Sequence, residues 1–255
     1  MILQHLRENK YDTLFKEHIS SLGEYEWLET LGIGSYGVAY LLQQRQTKEK
    51  YVLKRLRIKH KKNANTQSNF QQEISFLHKN MHANLPMIEE SGSVKGLPYY
   101  IMNYIDGHTF EHLIFKMGMT FSIEESVTII KRLLEVVMTI HSHRIVHRDL
   151  RIPNILLRDG ELYIIDFGLA CYMKDQIHLD SIRNPKKTES YISDLYCIGH
   201  FLLYLLYSNY TPNRKKERCW QDELQLPLNV QNYIERLLLI QPPFPDTLSA
   251  YEALP

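Results

Sequence analysis

Asp149, Asn154 and Asp166 are the side chains of this sequence most able to do chemistry as a set. Two carboxylates and a carboxamide stand at successive spacings of five and twelve residues, in His147-Arg148-Asp149-Leu150-Arg151-Ile152-Pro153-Asn154 and then Asp166-Phe167-Gly168. Between them, Ile155-Leu156-Leu157 and Leu162-Tyr163-Ile164-Ile165 flank Arg158-Asp159-Gly160-Glu161. Asp-Gly between two short β-prone runs predicts a hairpin. That hairpin would hold Asn154 and Asp166 together at one end, across from Asp149. One carboxylate could then accept the proton of an incoming hydroxyl while Asn and the second Asp hold Mg²⁺ on nucleotide phosphates. This is the chemistry of phosphoryl transfer. An isolated Asp-Phe-Gly is more simply a turn whose Asp bonds its own backbone, so the weight rests on the whole set.

The elements ahead of this loop have the pattern needed to present a nucleotide to it. Tyr25 to Leu31 alternates like a strand and runs into Gly32-Ile33-Gly34-Ser35-Tyr36-Gly37. In dinucleotide-binding folds such glycines open a helix. Here they lead into Val38-Ala39-Tyr40-Leu41-Leu42, a polar turn from Gln43 to Lys50, and Tyr51-Val52-Leu53-Lys54. Strand, glycine loop, strand, turn and strand make a hairpin whose backbone amides can approach phosphates without interference from Cβ atoms. Phe70, Ile74 and Leu77 fall on one helical stripe, which also carries Glu73, nineteen residues after Lys54. Val94 to Pro98 reads as a turn, and Tyr99 to Gly107 as a strand with a linker. Ser122 followed by Glu124 and Glu125 is a helix start, and the helical period continues to about His143. The apolar run from Phe201 to Leu206 is too short to span a bilayer and reads as a buried helix.

His147-Arg148-Asp149-Leu150 with Asn154, followed by Asp166-Phe167-Gly168, resembles the protein-kinase catalytic loop and metal-binding motif, every letter matching in order. With the glycine loop, Lys54, Glu73 and Asp194-Leu195-Tyr196-Cys197-Ile198-Gly199, the resemblance covers about residues 25–250. The sequence looks like a small, soluble, bacterial-type member of the eukaryotic-like (Hanks-type) serine/threonine protein kinases. The resemblance implies an α+β bilobal kinase fold: a small antiparallel β-sheet N-lobe with one helix, and a mostly helical, truncated C-lobe. The expected domains are an N-terminal extension at 1–24, an N-lobe at 25–105 and a C-lobe at 106–255. Asp149 would be the catalytic base, and Lys54, held by Glu73, would bind the α/β-phosphates of ATP. Exposed pairs of that kind add little stability, so its value would be positional. Asn154 and Asp166 would ligate Mg²⁺, or Mn²⁺ in its place. Gly32, Ile33, Gly34 and Gly37 would cover the phosphates. Ala39, Val52, Met102 and Leu156 would line the adenine site, and Asn103 to Ile105 would offer it backbone groups. Arg151 stands where serine/threonine kinases usually place a lysine toward the γ-phosphate; some tyrosine kinases carry Arg there. His147 would pack beneath Phe167.

The sequence also departs from that family pattern. The usual Val and Ala over the adenine are exchanged, as Ala39 and Val52, a swap that roughly conserves volume. Only 28 residues separate Asp166 from Asp194, without an Ala-Pro-Glu, and Leu239-Ile240-Gln241-Pro242-Pro243-Phe244-Pro245 lacks the arginine that would pair with its glutamate. Both halves of one ion pair are missing together, which is less costly than losing one. Protein substrates are expected, with autophosphorylation at Thr188 or Ser190 ordering the segment through Arg148; Ser181 and Tyr191 lie in the same stretch. Two alternatives stay open: a nucleotide-binding scaffold without catalysis, and a small-molecule kinase acting on a sugar or aminoglycoside.

Composition is consistent with this reading. Thirty Lys and Arg against 29 Asp and Glu leave no field that would favour nucleic acid or an anionic membrane. The basic run from Lys54 to Lys62 reads as a solvated loop. Three cysteines without a C-x-x-C pair suit a reducing compartment, and residues 1–24 lack a signal-peptide core. A soluble cytoplasmic protein is expected. His141, His143 and His147 have no cysteine or acid at zinc-ligand spacing beside them.

Overall fold

The computed structural model describes residues 2–174, 179, 182–211 and 218–255, with side chains from residue 8 onward; Ser181 lies outside the described residues. The chain divides into two compact units, Met1–Ile105 and Asp106–Pro255.

The first unit begins with helix α1 (Ile2–Leu22), followed by strands β1 (Tyr25–Ile33), β2 (Gly37–Gln44) and β3 (Lys50–Leu56), helix α2 (Ala64–Leu77), and strands β4 (Ile88–Val94) and β5 (Leu97–Asn103). The strands form one antiparallel sheet in the order β1-β2-β3-β5-β4. Register assigns the faces, because residues directly opposite share a face and neighbours along a strand alternate. Ala39, Lys54 and Tyr100 are opposite one another, as are Leu41, Val52 and Met102. This face meets α2, where Phe70 lies 5.4 Å from the Tyr100 ring. The opposite face presents Val38, Arg55 and Tyr99 in register and meets α1, where Phe15 stands edge-on to Tyr99 at 5.6 Å.

Two expectations are revised here. The sequence reads residues 1–22 as a short polar helix or extension; the helix forms, but Phe15 and Ile19, one turn apart on one stripe, are fully buried, so it belongs to the first unit's core. The expected turn at Val94–Pro98 shrinks to Lys95 and Gly96, both at positive φ (50° and 74°), because β4 runs up to Val94 and β5 starts at Leu97.

The second unit contains β6 (His108–Thr109), α3 (Phe110–Phe115), α4 (Ile123–Ser142), β7 (Ile145–Val146), β8 (Ile155–Arg158), β9 (Glu161–Ile164), β10 (Cys171–Tyr172), α5 (Tyr191–Tyr207), α6 (Trp220–Glu223), α7 (Leu228–Leu237) and α8 (Thr247–Glu252). Ser122 and Glu125 form a reciprocal capping box at the start of α4. The helix buries Ile130, Leu133, Leu134, Val137 and Ile140 on the stripe that faces the core. α5 packs with it, buried along Ile192, Leu195, Ile198, Phe201, Leu202 and Leu205, as its apolar composition predicts. Two short ladders, β6-β8-β9 and β10-β7, complete the unit. Among the described residues no helix is long and apolar enough to cross a membrane.

Candidate active site

The hairpin predicted from Asp-Gly is β8–β9, paired from Ile155 opposite Ile164 to Arg158 opposite Glu161. Asp159 and Gly160 both take positive φ (52° and 82°), the two-residue turn that matches strand twist. At the open end, the Ile165 amide donates to the Asn154 carbonyl at 2.9 Å, which ties Asn154 to the residue before Asp166. Asn154 Nδ2 donates to Asp149 Oδ2 at 2.7 Å and to the Asp149 carbonyl at 3.0 Å. Arg151 Nε meets the other carboxylate oxygen at 2.9 Å. The three residues named first in the sequence are thus gathered in one loop system. Asp166 itself sits at φ +65° and Arg148 at +66°, uncommon for non-glycine residues and tolerated where the surroundings over-determine them.

Those surroundings centre on Asp194, which the sequence offered only as a landmark. Fully buried in the first turn of α5, its carboxylate accepts the amides of His147 (2.8 Å) and Arg148 (2.6 Å) and stands 2.9 Å from His141 Nε2. Burial pushes this carboxyl up, but the hydrogen bond and charge of His141, with the His147 amide, outweigh it and hold the group below the usual carboxylate range. An acid in an otherwise apolar helix, followed by no lysine or arginine on its stripe, was the signal that it must serve the backbone of another segment. His147, also fully buried, stands edge-on to Phe167 at 4.7 Å with its Nε2 3.2 Å from the Ile165 carbonyl. Burial lowers its pKa below the ordinary imidazole value. The imidazole therefore serves as a neutral spacer beneath Phe167. His141 also bonds Thr247 at 2.6 Å; the two rings thus have separate partners, while Asp194 joins the His141 ring to the His147 backbone.

In the first unit, Lys54 Nζ donates to Glu73 Oε1 at 2.7 Å, with side-chain exposures of 14% and 2%. The pair is buried, not exposed as its sequence suggested, and breaking it would strand a charge. Tyr100, which sequence reasoning passed over, donates its hydroxyl to the same Oε1 at 3.0 Å. Gly37 allows β2 to close on this lysine: a Cβ there would lie 3.2 Å from Lys54 Cε and from the Arg55 carbonyl. Ala39, Val52 and Met102 share the Lys54 face by register, whereas Gly32, Ile33 and Gly34 are exposed at the sheet's end. The amides of Asn103 and Tyr104 are engaged by the Met87 and Lys50 carbonyls at 3.1 Å each, which removes both from the backbone groups expected of Asn103–Ile105. In the second unit Leu156 is buried in β8, opposite Tyr163.

One expected phosphorylation site is corrected. The Ser190 hydroxyl accepts from the Ile192 amide as the N-cap of α5, and the residue is 3% exposed; phosphorylation there would have to bring a dianion into a buried position. Thr188 is half-buried, its hydroxyl donating to the Pro185 carbonyl at 2.6 Å. Arg148 Nη1 reaches Cys171 Sγ at 3.4 Å, and its Nε has no partner among the described residues. Where the C-terminal arginine is missing, Phe244 is buried against Tyr233 (5.2 Å), and Arg236 stacks on its ring at 3.8 Å.

A glycine-rich sheet with a Lys–Glu pair, and a helical unit with this Asp–Asn loop, together define an α+β phosphotransferase class of fold. The protein-kinase-domain family model matches residues 25–224. The chain is 34% identical over 254 residues to "Probable serine/threonine-protein kinase YbdM" of Bacillus subtilis (strain 168), covering 100% of this chain and 97% of that protein. It is 30% identical over 150 residues to myosin light chain kinase A of Dictyostelium discoideum, covering 57% of this chain and 50% of that one. It is 34% identical over 153 residues to human cyclin-dependent kinase 11B, covering 59% of this chain and 19% of the relative. The chain belongs to the protein kinase family.

Proposed function

We propose that this kinase transfers the γ-phosphoryl group of Mg–ATP to serine or threonine hydroxyls of proteins, its own chain included. The observation that carries the reading is the 2.7 Å hydrogen bond from Asn154 Nδ2 to Asp149 Oδ2 in the loop that leads to Asp166. It fixes the carboxylate while turning the other side of the carboxamide away from it. Asn154 Oδ1 and the Asp166 carboxylate are the hard oxygen donors that would hold Mg²⁺ or Mn²⁺, and such an ion would supply charge neutralisation on the phosphates.

Asp149 accepts the proton of the attacking hydroxyl. Arg151, 61% exposed, can leave Asp149 at little cost and turn its guanidinium to the γ-phosphate. Lys54, braced by Glu73 and Tyr100, holds the α/β-phosphates; Gly32, Ile33, Gly34 and Gly37 cover them. Ala39, Val52 and Met102 bound the adenine, and the amide for its edge comes from Ile105. Serine/threonine preference is supported by the name of the B. subtilis relative. Thr188 is the autophosphorylation site that remains, with Arg148 as its reader.

The test is incubation with γ-labelled ATP and Mg²⁺ or Mn²⁺, followed by identification of the labelled residues by mass spectrometry. Label on serine or threonine, Thr188 among them, is expected. Nucleotide bound without transfer, or label confined to tyrosine or to a sugar or aminoglycoside, would overturn the proposal.

A further inference from the structure

Arg55 follows Lys54 directly, so it projects from the opposite face of β3, where it is fully buried. Its Nη1 donates to Glu8 Oε2 at 2.9 Å, its Nε donates to the Tyr40 hydroxyl at 2.8 Å, and its Nη2 pairs with Asp12. Glu8 and Asp12 are one turn apart on α1, so the helix is fastened to the sheet by charge as well as by Phe15 and Ile19. Glu8 is 4% exposed and has a second partner: its Oε1 receives Arg57 Nε at 3.2 Å. Arg57 Nη1 in turn donates to the carbonyl of Gly34 at 3.0 Å, and the Arg57 amide donates to the carbonyl of Tyr36 at 2.8 Å. His60 Nε2 lies 3.1 Å from the Ser35 carbonyl, with its ring 5.4 Å from that of Tyr36. Gly34, Ser35 and Tyr36 are each gripped from residues 57–60, and the arginine of that grip is anchored on α1.

We infer that Glu8 and Arg57 are positioning residues, through which α1 sets the conformation of the glycine loop. This rests on the reading of Gly32–Gly37 as a phosphate cover. A glycine-rich segment has more conformations to lose than any other, so a cover made of its amides binds phosphates well only if it is ordered beforehand. Arg57 can join α1 to the loop because a guanidinium offers Nε and Nη donors in one rigid fork. A lysine has three donors, but they radiate from one rotating nitrogen with no rigid fork, so it fixes the two acceptors less well.

The experiment compares the wild-type full chain with Arg57→Met, Arg57→Lys and Glu8→Gln. Hydrogen exchange of residues 32–37 is followed without nucleotide, alongside melting temperature, binding of a fluorescent ADP analogue with Mg²⁺, and KM and kcat for ATP. Arg57→Met should speed exchange of the loop and weaken analogue binding about tenfold, with kcat at saturating ATP changed by no more than about twofold. Its melting temperature should stay near that of wild type, because Arg55, Glu8 and Asp12 remain together. Arg57→Lys should not restore loop protection. Glu8→Gln should loosen the loop in the same direction while also lowering the melting temperature. Unchanged loop exchange in Arg57→Met would overturn the inference, as would a loosened loop in Arg57→Met with none in a folded Glu8→Gln. A wild type that binds no nucleotide would sink the phosphate-cover reading, while the exchange data would still decide the brace.

Discussion

The two oxygens of Asp149 are held by unequal donors, and the inequality has consequences. Asn154 is 6% exposed and its hydrogen bond is sheltered, whereas Arg151 is a surface partner whose ion pair contributes at most about 1 kcal/mol. Removing the carboxylate charge while keeping its shape should therefore spare the loop and stop the chemistry. Asp149→Asn is expected to lower kcat by about 10²- to 10⁴-fold with ATP affinity nearly intact, measured by labelled-ATP turnover beside equilibrium binding. Equal turnover in mutant and wild type would take Asp149 out of the mechanism. Tyr100 makes a second prediction at this scale. Its hydroxyl donates to a carboxylate that is 2% exposed, and hydrogen bonds to buried charge are worth about 2 kcal/mol. Tyr100→Phe should lose about that much stability in urea denaturation and raise KM for ATP. A variant as stable as wild type would show that Glu73 does not need the Tyr100 hydroxyl.

Among the elements, α5 has the most to lose at its start, because its first turn delivers Asp194 to the catalytic loop. Ser190→Ala removes the cap and should cost about 1 kcal/mol. Phosphopeptide mapping should find Thr188 modified and Ser190 unmodified; phosphate at Ser190 in a folded, active enzyme would contradict the burial of that cap. How far the elements could be read in advance differs for physical reasons. The helix start at Ser122 and the Asp-Gly turn of β8–β9 are local signals, complete within a few residues, and both form as predicted. β4, Ile-Glu-Glu-Ser-Gly-Ser-Val, has little β propensity. It is a strand because β5 pairs with it and because Gly92 leaves room for the Tyr99 ring, whose nearest atoms lie 3.0 Å from where a Cβ would be. The role of α1 was hidden for a similar reason: its polar residues look solvated until their partner is known. The signal lay in β3, where Leu53 and Arg55 fall on one face of an alternating strand, and a charge at a core position demands acids from elsewhere. The Lys54–Glu73 pairing was legible from the family resemblance, but the shelter it has was not, since Tyr100 closes over it from a strand 46 positions later.

At the scale of the whole molecule, acid sensitivity concentrates in the helical unit. His147 and His200 lie there, and burial lowers both pKa values below the ordinary imidazole value; Lys186 adds to the effect at His200. Asp194, Asp149 and Asp166 oppose the shift at His147 without reversing it. A histidine whose folded pKa is depressed is more readily protonated when unfolded, so the unfolded state binds more protons and stability rises with pH. The contribution is fully present above the unfolded pKa of about 6.5 and is lost as pH falls from there toward the folded value. Asp194 acts in a lower window. Its depressed pKa protects stability above the ordinary carboxylate value of 3.8 and fails only below it. The melting temperature should therefore decline between pH 7 and pH 5 with a slope set by the histidines. His200 provides the internal control, since its Nε2 is buried with no partner among the described residues. His200→Leu should gain stability at both pH values and more at pH 5 than at pH 7.5, flattening the decline without abolishing it. Parallel profiles for the two proteins would remove His200 from the effect. A wild-type midpoint that stays level or rises on acidification would mean that neither imidazole stays neutral when folded, and that His147 sits beneath Phe167 as a cation.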